Sequence, residues 1–250
     1  MMNDSGIKAE PLGGGTVCFT KRPDSITTDS LILADFAGVT AQDTACDLGS
    51  GCGVIPLLWL RDSRVSGVYA VEIRQNAVEL INLAKEHNRL SDDRLTVVCS
   101  DLRELKGKMP SGCFTLVTMN PPYKKCDAGK VSEDGDAAAM RFELYSDCEE
   151  ICASAKRLLK PSGRFCVCCR PERLTDYICA MREAGLEPKK LRLVANTPDS
   201  PPSLFLLCAV KGASGGLKIM PPLYTSGEGA NGFSDEMNEI YGEYGKERKR

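Results

Sequence analysis

From Thr44 onward, short apolar runs alternate with amphipathic segments, and this alternation constrains the fold more than any other feature of the sequence. The apolar runs predict strands at residues 44–48, 65–73, 95–99, 114–119 and 164–169, followed by a closing antiparallel pair at 191–194 and 204–210. The segments between them predict helices at 54–60, 75–88, 142–159 and 172–184. The sequence therefore predicts an α/β fold, a three-layer sandwich around a mostly parallel sheet of about seven strands with a final antiparallel strand.

The segments on either side of this region differ in composition. The chain has 250 residues, which suits one domain with additions at its ends. Residues 1–43 comprise a Gly-rich lead-in up to about Val17, which we expect to be mobile, and a short capped helix that begins near Thr28. Residues 44–212 form the predicted globular domain, and residues 213–250 form a Gly/Pro-rich tail with a basic end.

Charge and hydropathy narrow the class of protein. The formal net charge is −2, so any contact with nucleic acid must come from a local basic patch. No apolar run approaches the roughly 20 residues of a membrane span, and the polar N-terminus is unlike a signal peptide. We therefore expect a cytoplasmic protein without membrane contact, whose oligomeric state the sequence leaves open.

The 13 cysteines lie mostly in apolar segments. Cys166 and Cys169 form a C-x-x-C pattern, but no second pair at zinc spacing accompanies it and the chain has one histidine. In a strand, Cys166 and Cys168 would face one side and Cys169 the other. We expect reduced core thiols and no metal site. Trp59 is likewise a predicted core residue.

Asn120-Pro121-Pro122-Tyr123 directly follows the predicted strand at 114–119. The two prolines remove two backbone donors and end the strand. A residue before proline is held extended, so Asn120 has little backbone freedom at the strand tip. An amide, a carbonyl oxygen without a neighbouring N–H and an aromatic ring then lie together. This group suits a planar amino or amide target, although a plain strand-ending turn has the same sequence.

A glycine loop, Gly49-Ser50-Gly51-Cys52-Gly53, follows Asp47 between a predicted strand and helix, where a ligand can approach the backbone and the helix N-terminus. Val54 stands where a dinucleotide fingerprint needs its last glycine, and Asp47 would repel a pyrophosphate. The loop instead suits a ligand with ammonium and sulfonium groups. Glu72 lies at the end of the next predicted strand, and the strand after it runs into Ser100-Asp101. All these groups are therefore expected to converge at the carboxyl edge of the sheet.

With these features the chain resembles the class I S-adenosylmethionine-dependent methyltransferases, which have a Rossmann-like fold, and within them the amino-methylating group that carries Asn-Pro-Pro-Tyr. The resemblance implies that residues 44–212 are the methyltransferase domain. It implies a cofactor site for S-adenosylmethionine in which the methionine part contacts Asp47, Gly49, Gly51 and Gly53. The ribose would contact Glu72, and the cofactor adenine Asp101 and Leu102, with Asn120 also against the cofactor. Asn120 and the carbonyl of Pro121, followed by Pro122, would hold the target amino group, and Tyr123 would stack on the target ring.

Two targets share that tetrapeptide, namely N6 of adenine and the glutamine amide of release factors. Most of the chain resembles the bacterial tRNA1(Val) (adenine(37)-N6)-methyltransferase family, on segments 28–33, 139–143, 170–174 and 216–223, with Phe142 in place of the usual His. This resemblance implies methyl transfer to adenine N6 in tRNA, at adenine 37 of tRNA1(Val). The alternatives are glutamine N5-methylation of a release factor, N6-adenine methylation of rRNA or DNA, and a scaffold without turnover.

A target base inside folded RNA must be flipped into the site, and the RNA backbone needs cations beside it. Such charges are usually plain solvated surface. The candidates near the predicted mouth are Lys21, Arg22, Lys124, Lys125, Lys130 and Arg141. No strong general base is expected, because the amino proton is more acidic after methyl transfer.

Overall fold

The apolar runs form the strands of one central sheet in a computed structural model, which describes residues 6–62, 65–122 and 148–247 of the chain. A separate two-stranded sheet comprises β1 (Lys8–Gly13) and β2 (Thr16–Thr20). The central sheet contains β3 (Thr44–Leu48), β4 (Gly67–Glu72), β5 (Leu95–Cys99), β6 (Phe114–Met119), β7 (Leu159–Cys169), β8 (Leu186–Ala195), β9 (Leu204–Lys211), β10 (Lys218–Ile219) and β11 (Leu223–Tyr224).

The order of strands in the sheet is β10-β8-β9-β7-β6-β3-β4-β5, and β11 also pairs with β8. The strands from β7 to β5 in this order are parallel to their neighbours. Strand β9 is antiparallel to both β7 and β8. The predicted mostly parallel sheet with a final antiparallel strand is therefore confirmed, and the tail adds two short strands to it.

Helices cover both faces of the sheet. They are α1 (Thr28–Ala37), α2 (Val54–Asp62), α3 (Gln75–His87), α4 (Cys148–Leu158), α5 (Leu174–Glu183) and α6 (Asp235–Glu247). Helix α1 begins where Thr27 accepts the backbone N–H of Ser30, and it ends at Gly38 with φ 55°. Within the described ranges, none of these helices has the length and apolar character of a membrane span.

The strand residues alternate between the two cores, as the pleat requires. Cys166 and Cys168 pack in the core on the side of α1, α2 and α3, whereas Cys169 packs in the core beneath α4 and α5. These cysteines are buried free thiols, as expected, but Cys99, Cys113 and Cys179 are exposed. Trp59 is also a core residue, and its Nε1 donates to the carbonyl of Ala34 at 3.1 Å.

Several element boundaries differ from the sequence prediction. Strand β8 begins at Leu186, before the predicted start at residue 191. Strand β7 begins at Leu159, before the predicted start at residue 164, and contains an irregularity that accommodates Ser162 with φ 62°. Helix α5 begins at Leu174, after a short 3-10 turn at Pro171–Arg173, and Gly185 follows its end with φ 77°. The part of the helix expected at 142–147 lies outside the described residues.

The expected mobile lead-in is wrong for residues 8–17, which belong to the hairpin of β1 and β2. Gly13, Gly14 and Gly15 all have positive φ, so they form the turn. Leu12 and Cys18 are fully buried at 0% exposure in the core that contains α1 and α2. The glycines therefore close a hairpin instead of providing a loose linker.

The Gly/Pro-rich tail packs on the same side of the sheet. Helix α6 places Met237 and Tyr241 in the core shared with the hairpin and α1. The Tyr241 hydroxyl lies 2.8 Å from Thr28 Oγ1, and the Arg192 guanidinium binds both carboxylate oxygens of Glu236 at 2.6 Å. The two flanking segments thus support the helix α1 from opposite ends of the chain.

We expect Met237→Ala to lower the free energy of unfolding by about 2–5 kcal/mol, because it leaves a cavity in the core beneath α6. Chemical denaturation followed by circular dichroism measures this loss. Ile219→Ala is the matched control, since Ile219 is 69% exposed, and it should change the value by less than about 0.5 kcal/mol. A loss of stability in Met237→Ala as small as that in Ile219→Ala would contradict a structural role for the tail.

Candidate active site

The carboxyl ends of β3, β4 and β6 surround a cavity of about 350 Å³. This is the edge at which ligands of open α/β sheets bind, and the volume is that of a small-molecule site. The sequence-predicted residues that line it are Asp47, Gly49, Gly51, Glu72, Leu102, Asn120, Pro121 and Pro122. The expected convergence of the glycine loop, the β4 acid and Asn120-Pro121-Pro122 is therefore present among the described residues.

Two of the predicted residues do not line the cavity. A Cβ at Gly53 would lie 3.1 Å from Cγ1 of Ile81, so this glycine lets the loop pack closely on α3. The Asp101 side chain caps the turn Leu102–Glu104 and binds Arg103, with 2.5 Å between Oδ2 and Nη2. Its hydrogen bond with Arg103 lowers the pKa of the Asp101 carboxyl. Ser100 faces the cavity in its place.

The predicted cations divide into two groups. Four of them lie outside the described residues, as does the predicted stacking residue Tyr123; these cations are Lys124, Lys125, Lys130 and Arg141. Lys21 and Arg22 are exposed and immediately precede two residues that line the cavity. Their positions make them available to a ligand that extends out of the cavity.

Asp47 is buried at the tip of β3, with 2% exposure. Thr118 Oγ1 donates to its Oδ1 at 2.6 Å, and Ser50 Oγ donates to its backbone carbonyl at 2.9 Å. Burial raises the pKa of the Asp47 carboxyl to about 7, and the Glu72 charge adds to this effect against the hydrogen bonds from Thr118 and Ser50. A cationic group in the cavity would favour the ionised carboxylate. Asp47 is therefore suited to a ligand ammonium group.

Glu72 lies at the tip of β4 and is 4% exposed. Its Oε1 accepts the backbone N–H groups of Ile73 and Arg74, both at 3.0 Å, while Oε2 accepts that of Gly51 at 2.8 Å. Hydrogen bonds of this kind satisfy a buried carboxylate. The same bonds tie the glycine loop to β4. At Gly49 and Gly51 the loop has φ values of 66° and 54°, a conformation that exposes the backbone to the cavity.

The opposite wall of the cavity was not predicted from the sequence. It is formed by a strap, residues 21–27, and by the first turn of α1, through Pro23, Asp24, Ser25, Thr27, Asp29 and Ser30. Arg74 holds the strap, because its Nη1 and Nη2 donate to the two Asp24 oxygens at 3.0 and 2.6 Å. Its Nε donates to Glu72 Oε1 at 3.2 Å.

Although burial disfavours the charged guanidinium, the hydrogen bonds and charges of Asp24 and Glu72 raise the pKa of Arg74. The charged guanidinium of Arg74 thereby joins the strap, α3 and β4. The polar cluster ahead of a capped helix was the signal available in the sequence. The pairing itself spans 50 positions and follows only from the tertiary fold.

Asn120 is half-buried at the tip of β6, where the following proline restricts its backbone. Its Nδ2 donates to Ser30 Oγ at 3.3 Å. The cavity therefore has a carboxylate suited to a cationic ligand group at Asp47 and a hydrogen-bond acceptor suited to a ligand hydroxyl at Glu72. It also has an amide with adjacent prolines at β6. These three chemistries are on the tips of adjacent strands in the sheet.

The chain is similar in sequence to known methyltransferases. The sequence model of the family described as methyltransferase small domain matches residues 22–183. A tRNA1(Val) (adenine(37)-N6)-methyltransferase of Bacteroides fragilis is 27% identical over 198 residues, which cover 77% of this chain and 79% of that protein. The enzyme of the same name from Vibrio cholerae is 26% identical over 176 residues, covering 70% and 71%.

Solved structures are similar in fold. A protein described as a predicted O-methyltransferase from Agrobacterium tumefaciens has a TM-score of 0.64 at 19% identity and covers 85% of this chain and 95% of its own. A geranyl diphosphate methyltransferase in complex with SAM has a TM-score of 0.54 at 15% identity, covering 73% and 84%. These similarities confirm the class I methyltransferase fold predicted from the sequence.

We expect the free energy of unfolding of the Asp47→Asn variant to increase relative to that of the wild type as the pH rises from 5 to 8. The folded Asp47 has a pKa of about 7, whereas an unfolded aspartate has about 3.9. The folded chain therefore binds the extra proton in this window, and wild-type stability falls as pH rises through it. The difference in free energy of unfolding, variant minus wild type, should rise by about 2–3 kcal/mol.

Denaturation at pH 5 and pH 8 measures both values, and Asp199→Asn at a surface loop provides a control for general charge effects. A variant-minus-wild-type difference that is the same at both pH values would mean that Asp47 titrates like an ordinary carboxyl.

Proposed function

The chain belongs to the methyltransferase small domain family, and on this premise we propose that it transfers a methyl group from S-adenosylmethionine to N6 of an adenine in tRNA, at adenine 37 of tRNA1(Val). The observation that carries the proposal is the meeting of the glycine loop, Glu72 and Asn120-Pro121 on one cavity. The named activity of the relatives from Bacteroides fragilis and Vibrio cholerae supports the choice of substrate.

The residues of the cavity fit S-adenosylmethionine, which supplies an electrophilic methyl group on a sulfonium when bound. Asp47 offers a carboxylate to the ammonium group beside the open backbone of Gly49 and Gly51. Glu72 Oε2 accepts the N–H of Gly51 and has lone-pair capacity for a ribose hydroxyl. Leu102 gives an apolar contact for the cofactor adenine. From the sequence, both Leu102 and Asp101 were predicted to contact that adenine.

The proposed chemistry at β6 depends on hydrogen-bond acceptors. The lone pair of an exocyclic adenine amine is delocalised into the ring, which makes the nitrogen a poor nucleophile. Asn120 Oδ1 and the Pro121 carbonyl each accept one N–H, which favours a pyramidal nitrogen with its lone pair directed at the methyl group. Pro122 contributes by lacking the N–H that would otherwise lie beside that carbonyl. The same fixed acceptors stabilise the positive charge that develops on nitrogen.

Target binding requires contacts beyond the cavity. A base inside folded tRNA must be unstacked before it can enter, and Tyr123 is proposed to stack on it. Lys21 and Arg22 are proposed phosphate contacts because they are exposed and adjoin the cavity wall at Pro23 and Asp24.

Parallel assays with labelled S-adenosylmethionine test this function against its alternatives. The substrates are unmodified tRNA1(Val), a peptide chain release factor, rRNA and double-stranded DNA, each at the same concentration. We expect label in the tRNA as N6-methyladenosine, and no label when adenine 37 is replaced by guanine. Label in the release factor would favour glutamine methylation instead. Cofactor binding without label in any substrate would support a scaffold.

We expect Asn120→Ala to lower methyl transfer to tRNA by at least about 100-fold, because the amide acceptor for the target amine is lost. The affinity for S-adenosylmethionine should stay within about twofold, since the cofactor is held chiefly by β3 and β4. Radiolabel incorporation and calorimetry measure the two quantities. Asn76→Ala, on the exposed face of α3, is the control. Retained turnover with weakened cofactor binding would contradict the role given to Asn120.

We expect Glu72→Gln to raise the dissociation constant of S-adenosylmethionine by at least about tenfold, because an amide replaces a carboxylate that accepts hydrogen bonds from both the loop and the ribose. Glu79→Gln, at an exposed position of α3, should leave the constant unchanged. Calorimetry on both variants provides the comparison. Unchanged affinity in Glu72→Gln would remove Glu72 from the ribose site.

A further inference from the structure

The first turn of α1 contacts the asparagine at the tip of β6. Asn120 Nδ2 donates to Ser30 Oγ at 3.3 Å, and both residues line the cavity. We propose that Ser30 is a positioning residue that orients the Asn120 amide, so that Oδ1 and not Nδ2 faces the target amino group. This inference rests on the proposed function, in which Asn120 holds that amino group.

The Ser30 hydroxyl is itself held in place by the N-cap of α1. Its oxygen lies 2.9 Å from Thr27 Oγ1, and Thr27 Oγ1 also accepts the backbone N–H of Ser30 at 3.3 Å. When Ser30 donates its proton to Thr27, the lone pairs of Ser30 accept the Asn120 N–H. A hydroxyl that is fixed by a helix cap therefore presents an acceptor to Nδ2.

An asparagine at this place needs such a partner. Its two amide ends have similar size but opposite hydrogen-bonding character, and the terminal torsion has a broad, two-fold preference. The prolines fix the backbone of Asn120 but leave this torsion free. With Nδ2 turned toward the target, two N–H donors would oppose each other and the amine would lose its acceptor. The bond to Ser30 selects the productive orientation before the target arrives.

We expect Ser30→Ala to lower kcat for tRNA methylation about tenfold, because the loss of one orienting hydrogen bond of about 1.4 kcal/mol leaves the Asn120 amide in the productive orientation less often. The dissociation constant of S-adenosylmethionine, measured by calorimetry, should stay within about twofold, because the cofactor site is unchanged. Ser30→Thr keeps the hydroxyl and should return kcat to within about threefold of the wild type.

Thr28→Val is the matched control on the same helix turn. It removes a hydroxyl that lies 2.8 Å from the Tyr241 hydroxyl and does not line the cavity. It should lower the melting temperature as Ser30→Ala does but leave kcat unchanged. A fall of kcat in Thr28→Val equal to that in Ser30→Ala would mean that both act through helix stability, which would overturn the positioning role.

A second background separates orientation from other effects of Ser30. A carboxylate presents an acceptor oxygen in either orientation, so Ser30→Ala should cause no further loss of kcat when added to Asn120→Asp. A further tenfold loss there, or an unchanged kcat in the single Ser30→Ala variant of an active enzyme, would overturn the inference. A wild-type protein that transfers no methyl group to tRNA would instead contradict the proposed function itself.

Discussion

The buried carboxylate of Glu72 is the interaction on which the arrangement of the site depends. A carboxylate that is 4% exposed is costly unless donors surround it, and here the donors come from three parts of the chain. These donors are Gly51 in the glycine loop, Ile73 at the end of β4 and Arg74 at the start of α3. The Arg74 guanidinium also donates to Asp24 of the strap. One acid therefore fixes both walls of the cavity relative to each other.

The two acids of the cavity have different environments, which suit different ligand groups. Glu72 is surrounded by N–H donors and a guanidinium, whereas Asp47 has the Thr118 hydroxyl as its side-chain donor and a pKa of about 7. An incoming cation would stabilise the ionised form of Asp47, because few hydrogen-bond donors otherwise stabilise that carboxylate. A neutral hydroxyl needs only an acceptor, which Glu72 Oε2 provides. In the proposed function, the amine acceptors at β6 lie on a different strand from both acids, so the target amine and the ammonium and ribose of the cofactor are held by different strands.

Much of this could be predicted because it follows from local rules. Buried parallel strands are nearly continuous apolar runs, so the central strands are visible in the sequence, and the prolines after Asn120 fix its backbone wherever they occur. The hairpin of β1 and β2 was missed because its three-glycine turn has the composition of a loose linker. The pairing of Arg74 with Asp24 crosses 50 positions, and no local pattern encodes it. Asp101 occupies the predicted strand end, but Arg103, two positions away, binds its carboxylate.

The most direct test of the central claim is a crystal structure with S-adenosylhomocysteine and an anticodon stem-loop of tRNA1(Val) bound. The decisive quantities are the distances from N6 of the flipped adenine to Asn120 Oδ1 and to the Pro121 carbonyl oxygen. We predict about 3 Å for both, with the cofactor ammonium at Asp47 and its ribose at Glu72. An adenine bound away from Asn120, or a cofactor that contacts neither acid, would contradict the assignment of this cavity as the methyl-transfer site.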